Sequence, residues 1–440
     1  MQSKKKVNNT KPSMIQPAMV KIKKKGIIVE YRLTSNGLTI LFVRKPNTGV
    51  ITSDIVYRVG ARDEAHGVTG IAHMLEHMLF KPTKHDIRRK SDSGAMQFER
   101  QTGVILNANT WKDRTSYFFS YPKEHFETAL RIEAERMHDV VLTDTEFIPE
   151  RTNVLSEYDM YSGNEEFALS VPMTATALHS HPYGHETIGF REDIESYTIE
   201  KLKIFYETYY APNNATLIIV GDVREDDMRS CVEKYFGNLK PSQKLTARPI
   251  IREPKQEGLR IVHVRRPSTK NILALGVKHD GFPKTGWFET MIALHVLAGS
   301  EDSILNKKLV DTSMVTSVST SIEPTYDTNL AMLYITLSST MSHENTYIHI
   351  RQIVDTLTQK DITPYLKKII AQNITSELTT REHSLGFVSE LVEYVSASAW
   401  EHFFETEEKL RAISARDVLS RIKTLFNEDV LTIGHFIGTK

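Results

Sequence analysis

The segment GVTGIAHMLEHMLF, residues 67–80, sets His73, Glu76 and His77 in the order H-x-x-E-H. In a helix, residues four apart lie one turn apart on one face, so the two imidazoles could share a metal ion. Neutral imidazoles suit a tetrahedral zinc, and a catalytic zinc takes three protein ligands and keeps one position open. Such an ion polarises a scissile carbonyl and acidifies a bound water. Glu76, one residue before the second His, would take that water's proton and later pass it to a leaving amine. The order inverts the commoner H-E-x-x-H signature of metallopeptidases. Leu75, Met78 and Leu79 are the apolar positions that would seat such a helix on a core. Three polar residues on a solvated helix face would give the same string, so the motif calls for a third ligand.

The strongest source of that ligand is IPERTNVLSEYDMY, residues 148–161. Glu150 and Glu157 are seven apart, two turns along one helical face. Val154 and Leu155 between them predict a partly buried helix. A buried carboxylate is costly unless paired or metal-bound, so Glu157 there asks for a cation; a surface helix with solvated glutamates is the alternative. The single cysteine, Cys231, excludes an intrachain disulfide and a cysteine-based zinc site. Cys231 itself reads as a small buried apolar group.

Two halves must position these residues. Residues 37–48, GLTILFVRKPNT, and 258–269, GLRIVHVRRPST, each read as a strand closed by a Pro-containing turn and share Gly, Leu, Ile, Val, Arg, Pro and Thr. Residues 194–223 and 410–438 repeat a helix, a short loop and an apolar strand in the same order. The expectation is an α+β fold of two duplicated domains, each a mostly antiparallel sheet packed with helices. Its parts are a flexible extension over 1–25, a domain over 26–240 carrying the metal site, a linker over 241–257, and a domain over 258–440 without one. Lys+Arg and Asp+Glu are both 55, so nothing in the charge calls for a nucleic-acid or membrane partner. The N-terminus carries eight lysines between Lys4 and Lys25 and no apolar stretch long enough for a signal peptide or membrane span. The cytoplasm is the default, with the periplasm or another compartment if a leader has been removed.

These residues resemble the M16 family of inverted-motif zinc peptidases, which includes pitrilysin, insulin-degrading enzyme and the mitochondrial processing peptidase. The resemblance rests on residues 56–83 around the H-x-x-E-H helix, LNANTWKDRTSYFF (106–119), ERTNVLSE (150–157), HPYGHETIG (181–189) and YYAPNNATLIIVGDV (209–223). It implies a clamshell-half fold, one Zn2+ per chain held by His73, His77 and Glu157, and Glu76 as the base. It gives Glu150 a supporting catalytic role as a carboxylate that orients the site. It places Asn107 and Ala108 on an edge strand that pairs with an extended peptide substrate.

Departures from the family pattern are informative. Residues 84–103 look like an insertion, expected to form a loop. The exit motif reads Lys81-Pro82-Thr83 where a Gly is commoner. Related enzymes use an Arg and a Tyr from the second half to hold substrate, but SILNKKLVDTSMVTSVST (303–320) has no Arg, and Tyr326 cannot be assigned that role. The second half also lacks the metal motif; His295 is a lone histidine on an apolar helix, expected to be structural. The resulting expectation is a zinc endopeptidase for peptides or unfolded segments, completed by a second M16-like subunit as a heterodimer or, alternatively, a homodimer. A non-catalytic scaffold subunit of the same fold and a hydrolase of non-peptide substrates are the competing readings.

Overall fold

The computed structural model describes residues 18–89 and 94–439. Among them, twelve strands build two sheets. The first contains β1 (Met19–Lys25), β2 (Ile28–Leu33), β3 (Thr39–Arg44), β4 (Val50–Tyr57), β5 (Ile105–Thr110), β6 (Thr115–Pro122) and β7 (Ala215–Gly221), in the order β1-β2-β3-β7-β4-β6-β5. The second contains β8 (Arg260–Pro267), β9 (Asn271–His279), β10 (Val315–Ser321), β11 (Asn329–Leu337) and β12 (Leu431–Thr439), in the order β10-β11-β9-β12-β8. Read from the other edge, the second sheet repeats five strands of the first: β3-β7-β4-β6-β5 matches β8-β12-β9-β11-β10. Each has one parallel pair, β3 with β7 and β8 with β12, and antiparallel pairs elsewhere. The sequence echoes therefore fall on the strands that form those parallel pairs.

Strands β3 and β7 read as continuous apolar runs because both of their faces are covered. Ile40, Phe42, Leu217 and Ile219 face one core, while Leu41, Val43, Ile218 and Val220 face another. The second face is closed by a helix from the other half, Ser384–Ser396, which packs on β4 and β7. The converse holds for helix Glu165–Ala177, whose Leu169, Met173 and Ala177 sit on the second sheet with Ile272, Ala274 and Phe436. Each sheet thus borrows a helix from the opposite half. Residues 241–257 carry neither helix nor strand. They are fastened by Arg248 on Asp63 at 2.7 Å and by Glu253, which accepts from the backbone N–H of His179 and Ser180 at 2.9 Å each.

Two expectations are corrected. Residues 1–17 of the expected extension lie outside the described residues, but Met19–Lys25 is a strand paired antiparallel with β2. Its lysines mark it as an edge strand, where charge discourages pairing with other chains. Residues 84–103 are not a plain loop: Lys84–Arg89 and Gly94–Thr102 are helical. Asp86 accepts from the Thr83 N–H and hydroxyl, both at 2.8 Å, and so ties down the start of the first of these. Ala95 and Phe98, at helical spacing, are buried against the core in the second.

A buried polar cluster joins the halves near the site. Arg62 donates to Asp113 at 3.0 Å and to Asp327 at 3.0 Å. Asp113 also accepts from the Tyr183 hydroxyl at 2.6 Å and from the Tyr326 N–H at 2.9 Å. Burial works against the Arg62 charge, but Tyr183, Asp113 and Asp327 outweigh it and raise its pKa. Tyr326 is thereby held through its backbone, with the Arg62 guanidinium 5.6 Å from its ring centre.

Candidate active site

Helix Ile71–Met78 starts where the chain is pinned from three sides. Gly70 adopts φ +83°, and a Cβ there would lie 2.3 Å from the Ile188 carbonyl oxygen, so only glycine fits. The buried Glu64 carboxylate accepts from the N–H groups of Gly70 at 2.8 Å and Ala72 at 2.9 Å, placing negative charge at the helix N-terminus. His185 Nε2 lies 3.0 Å from the same carboxylate. Asp193 accepts from the Thr69 N–H and hydroxyl. Leu75 and Met78 are fully buried and Leu79 nearly so, which fixes the helix's rotation. Residues 181–189 matter because they brace this helix start.

Helix Asp144–Ser162 packs on that helix and carries both Glu150 and Glu157. Val154 is fully buried between them. His73 Nε2 and His77 Nε2 are 3.3 Å apart, and Glu157 Oε2 lies 3.7 Å from the first and 3.5 Å from the second. Four ligands about 2.0–2.1 Å from a tetrahedral zinc sit about 3.3–3.4 Å from one another. The three donors therefore already have the spacing of zinc ligands, and their chemistry, two imidazoles and a carboxylate, suits the ion.

The surrounding groups set the charge state. His77 Nδ1 lies 2.9 Å from Glu150 Oε1. A carboxylate can only accept, so Nδ1 donates and Nε2 is left for a ligand. Glu150 Oε2 is 2.5 Å from Lys81 Nζ. The His77 hydrogen bond, then the Lys81 ammonium, hold Glu150 down at about 2 against its partial burial. Burial opposes charge on His77, but its bonds to Glu150 and Glu157 lift it to about 9. Burial, reinforced by His77, draws His73 down to about 4. Glu157 lies below the usual carboxylate range, chiefly through its bond to His77. His73 Nδ1 is buried without a hydrogen-bond partner, so this ring lacks the carboxylate brace that His77 has.

Glu76 is buried beside these donors. Its Oε2 accepts from the Thr110 hydroxyl at 2.6 Å, and burial raises its pKa above the usual range. His73, Glu76 and Glu157 line a cavity of about 360 Å³ with Ala108, Thr110, Trp111 and Tyr161. β5 is one of the two edges of the first sheet, paired only with β6 among the described residues. Ala108 reaches the cavity wall, whereas Asn107 is exposed and folds its side-chain oxygen back onto the Ala108 N–H at 2.8 Å. The second half contributes Glu323 to the cavity. Among the described residues, no Arg or Lys lines it.

Thr110, Tyr161, Lys81 and Glu323 escaped the sequence reading. Tyr161 hydrogen-bonds Glu157 from one turn further along the helix, and its i+4 spacing was the available signal. Lys81 opens the exit motif Lys81-Pro82-Thr83. Thr110 and Glu323 reach the site only through tertiary packing. The lone His295 is partly buried in helix Thr285–Ala298, and burial lowers its pKa. Cys231 is buried and its thiol is pushed up to about 12, an inert group.

The sequence profile described as Insulinase (Peptidase family M16) matches residues 39–190, and that described as Peptidase M16 inactive domain matches residues 196–374. The chain is 35% identical over 286 residues to the zinc protease PqqE of Helicobacter pylori, covering 64% of each chain. It is 30% identical to a probable mitochondrial-processing peptidase subunit beta of Schizosaccharomyces pombe, over 47% of this chain and 44% of that one. These alignments span less than two thirds of either curated relative. The crystal structure of a protease from Helicobacter pylori superposes with a TM-score of 0.85 at 26% identity, over 96% of this chain and 100% of that one. The first half of the periplasmic protease PqqL from Escherichia coli, 15% identical with a TM-score of 0.74, shares the fold. Among the described residues, no helix is long and apolar enough to cross a membrane.

Proposed function

Since this chain belongs to the M16 peptidase family, we propose that it is a zinc-dependent endopeptidase whose metal is held by His73, His77 and Glu157 and whose general base is Glu76. The observation that carries this reading is the set of three donor atoms at 3.3–3.7 Å beside a buried Glu76 on one cavity wall. The relative named zinc protease supports it. A zinc ion at these donors would supply a Lewis acid for the scissile carbonyl and a more acidic water.

The chain's own groups do the rest. The Thr110 hydroxyl holds Glu76 Oε2 and leaves Oε1 to receive the proton of the attacking water. A carboxylate with a pKa raised by burial keeps that proton long enough to deliver it to the leaving amine. An extended peptide would add to the free edge of β5 at Asn107 and Ala108, its backbone read by main-chain hydrogen bonds. Glu150 is a positioning residue, holding His77 in the tautomer that presents Nε2. Glu150→Gln should weaken zinc affinity about 10–100-fold while leaving the fold intact, read by competition with a chromophoric chelator. An unchanged affinity would remove Glu150 from the site.

The partner belongs to the same reading. Among the described residues no Arg or Lys lines the cavity, and one relative is named as a subunit. Exposed Trp111, Met160, Tyr161 and Ile105 lie on the elements that frame it. A second M16-like chain, heterologous or identical, would cover that rim and complete the substrate site. Peptide cleavage by the chain alone and after mixing with candidate partners tests this. Full activity alone would overturn it. A cytoplasmic location completes the proposal, checked by cell fractionation; recovery with periplasmic contents would overturn that part.

A further inference from the structure

His85, His138 and Asp139 converge outside the cavity just described. His85 lies in helix Lys84–Arg89, and the other two end helix Phe126–Asp139. A single antiparallel bridge between Thr83 and Val140 brings the two segments together. His85 Nε2 lies 3.0 Å and His138 Nε2 2.9 Å from the same atom, Asp139 Oδ2. One ligand atom from each residue falls within 4.8 Å of the others.

The tautomer of His138 gives the cluster its meaning. Its Nδ1 lies 2.6 Å from the Ala134 carbonyl oxygen. A carbonyl can only accept, so Nδ1 carries the hydrogen. In the neutral ring, Nε2 then points a lone pair at a carboxylate oxygen. The two acceptors, 2.9 Å apart, are bridged either by a proton on His138 Nε2 or by a metal ion. A metal ion there would also be held by His85 Nε2, 3.0 Å from the same oxygen, so that one ion engages all three side chains. A backbone carbonyl on the far ring nitrogen is also how metal-bound imidazoles are usually oriented.

We propose that His85, His138 and Asp139 form a second divalent-metal site, of the type that two imidazoles and a carboxylate provide for zinc. The site ties the segment that follows the H-x-x-E-H helix to the end of helix 126–139. It opens to solvent, with the His85 and His138 side chains 35% and 43% exposed, so water completes the coordination shell. The inference uses none of the residues of the first site and stands whether or not the chain cleaves peptides.

The test is metal content of the full chain after dialysis to equilibrium against micromolar Zn2+. The expected result is two zinc ions per wild-type chain, one in His85→Ala/His138→Ala, and one in His73→Ala/His77→Ala. Asp139→Asn, which keeps the shape of the cluster, should weaken this site about 10-fold or more. The melting temperature of the His85/His138 variant in chelator should match the wild type, and only the rise on adding zinc should shrink. A His85/His138 variant that binds as many zinc ions as the wild-type chain overturns the proposal; a wild type with one zinc that only the His73/His77 variant keeps would instead overturn the first site.

Discussion

Glu76→Gln should keep its zinc and lose peptide cleavage by on the order of 10³–10⁴-fold, almost entirely in kcat. The amide preserves the volume and can still meet the Thr110 hydroxyl, so the helix and the three ligands stay in place. What it cannot do is accept a proton from water. Metal content measured beside cleavage separates the two effects. Retained metal with cleavage near the wild-type rate would remove Glu76 as base. Loss of metal as well would mean that Glu76 supports the ligands rather than the proton transfer.

The second large effect lies away from the chemistry. Arg62→Leu should cost about 3–5 kcal/mol, because it leaves Asp113 buried without its main cation. Both side chains are almost fully enclosed, at 2% and 3% exposure, so solvent does not screen the loss. The melting temperature should fall on the order of 10 °C by calorimetry. Arg62→Leu/Asp113→Leu should cost less than the sum of the two single changes, since the pair is removed together. Cleavage should drop too, because the same cluster holds Tyr183, within residues 181–189 that brace the H-x-x-E-H helix, and Tyr326 from the second half. A cost below about 1 kcal/mol, the range of exposed pairs, would show that this cluster does not clamp the halves.

Local patterns carried most of what the sequence revealed. His73 and His77 share a helix face by spacing alone, and Glu150 and Glu157 do so by the same rule. The duplication was legible because β3 and β8 kept a shared string and because β7 and β12, their parallel partners, end matching helix–loop–strand segments. What stayed hidden depends on contacts between distant segments. Thr110 reaches Glu76 across 34 residues and Glu323 enters the cavity from the other half. No periodicity marks either. The strand Met19–Lys25 was hidden for a different reason: an edge strand protected by lysines has the composition of a solvated tail. The helices in 84–102 were missed because their buried apolar positions, Ala95 and Phe98, are sparse among polar and charged neighbours.

The direct test of the central claim is an anomalous difference map at the zinc edge from crystals of the metal-replete full chain. The account predicts a peak about 2.0–2.2 Å from His73 Nε2, His77 Nε2 and a Glu157 oxygen, with an open side toward the cavity that Glu76 lines. No peak between those three residues, or one coordinated by other side chains in their place, would contradict it.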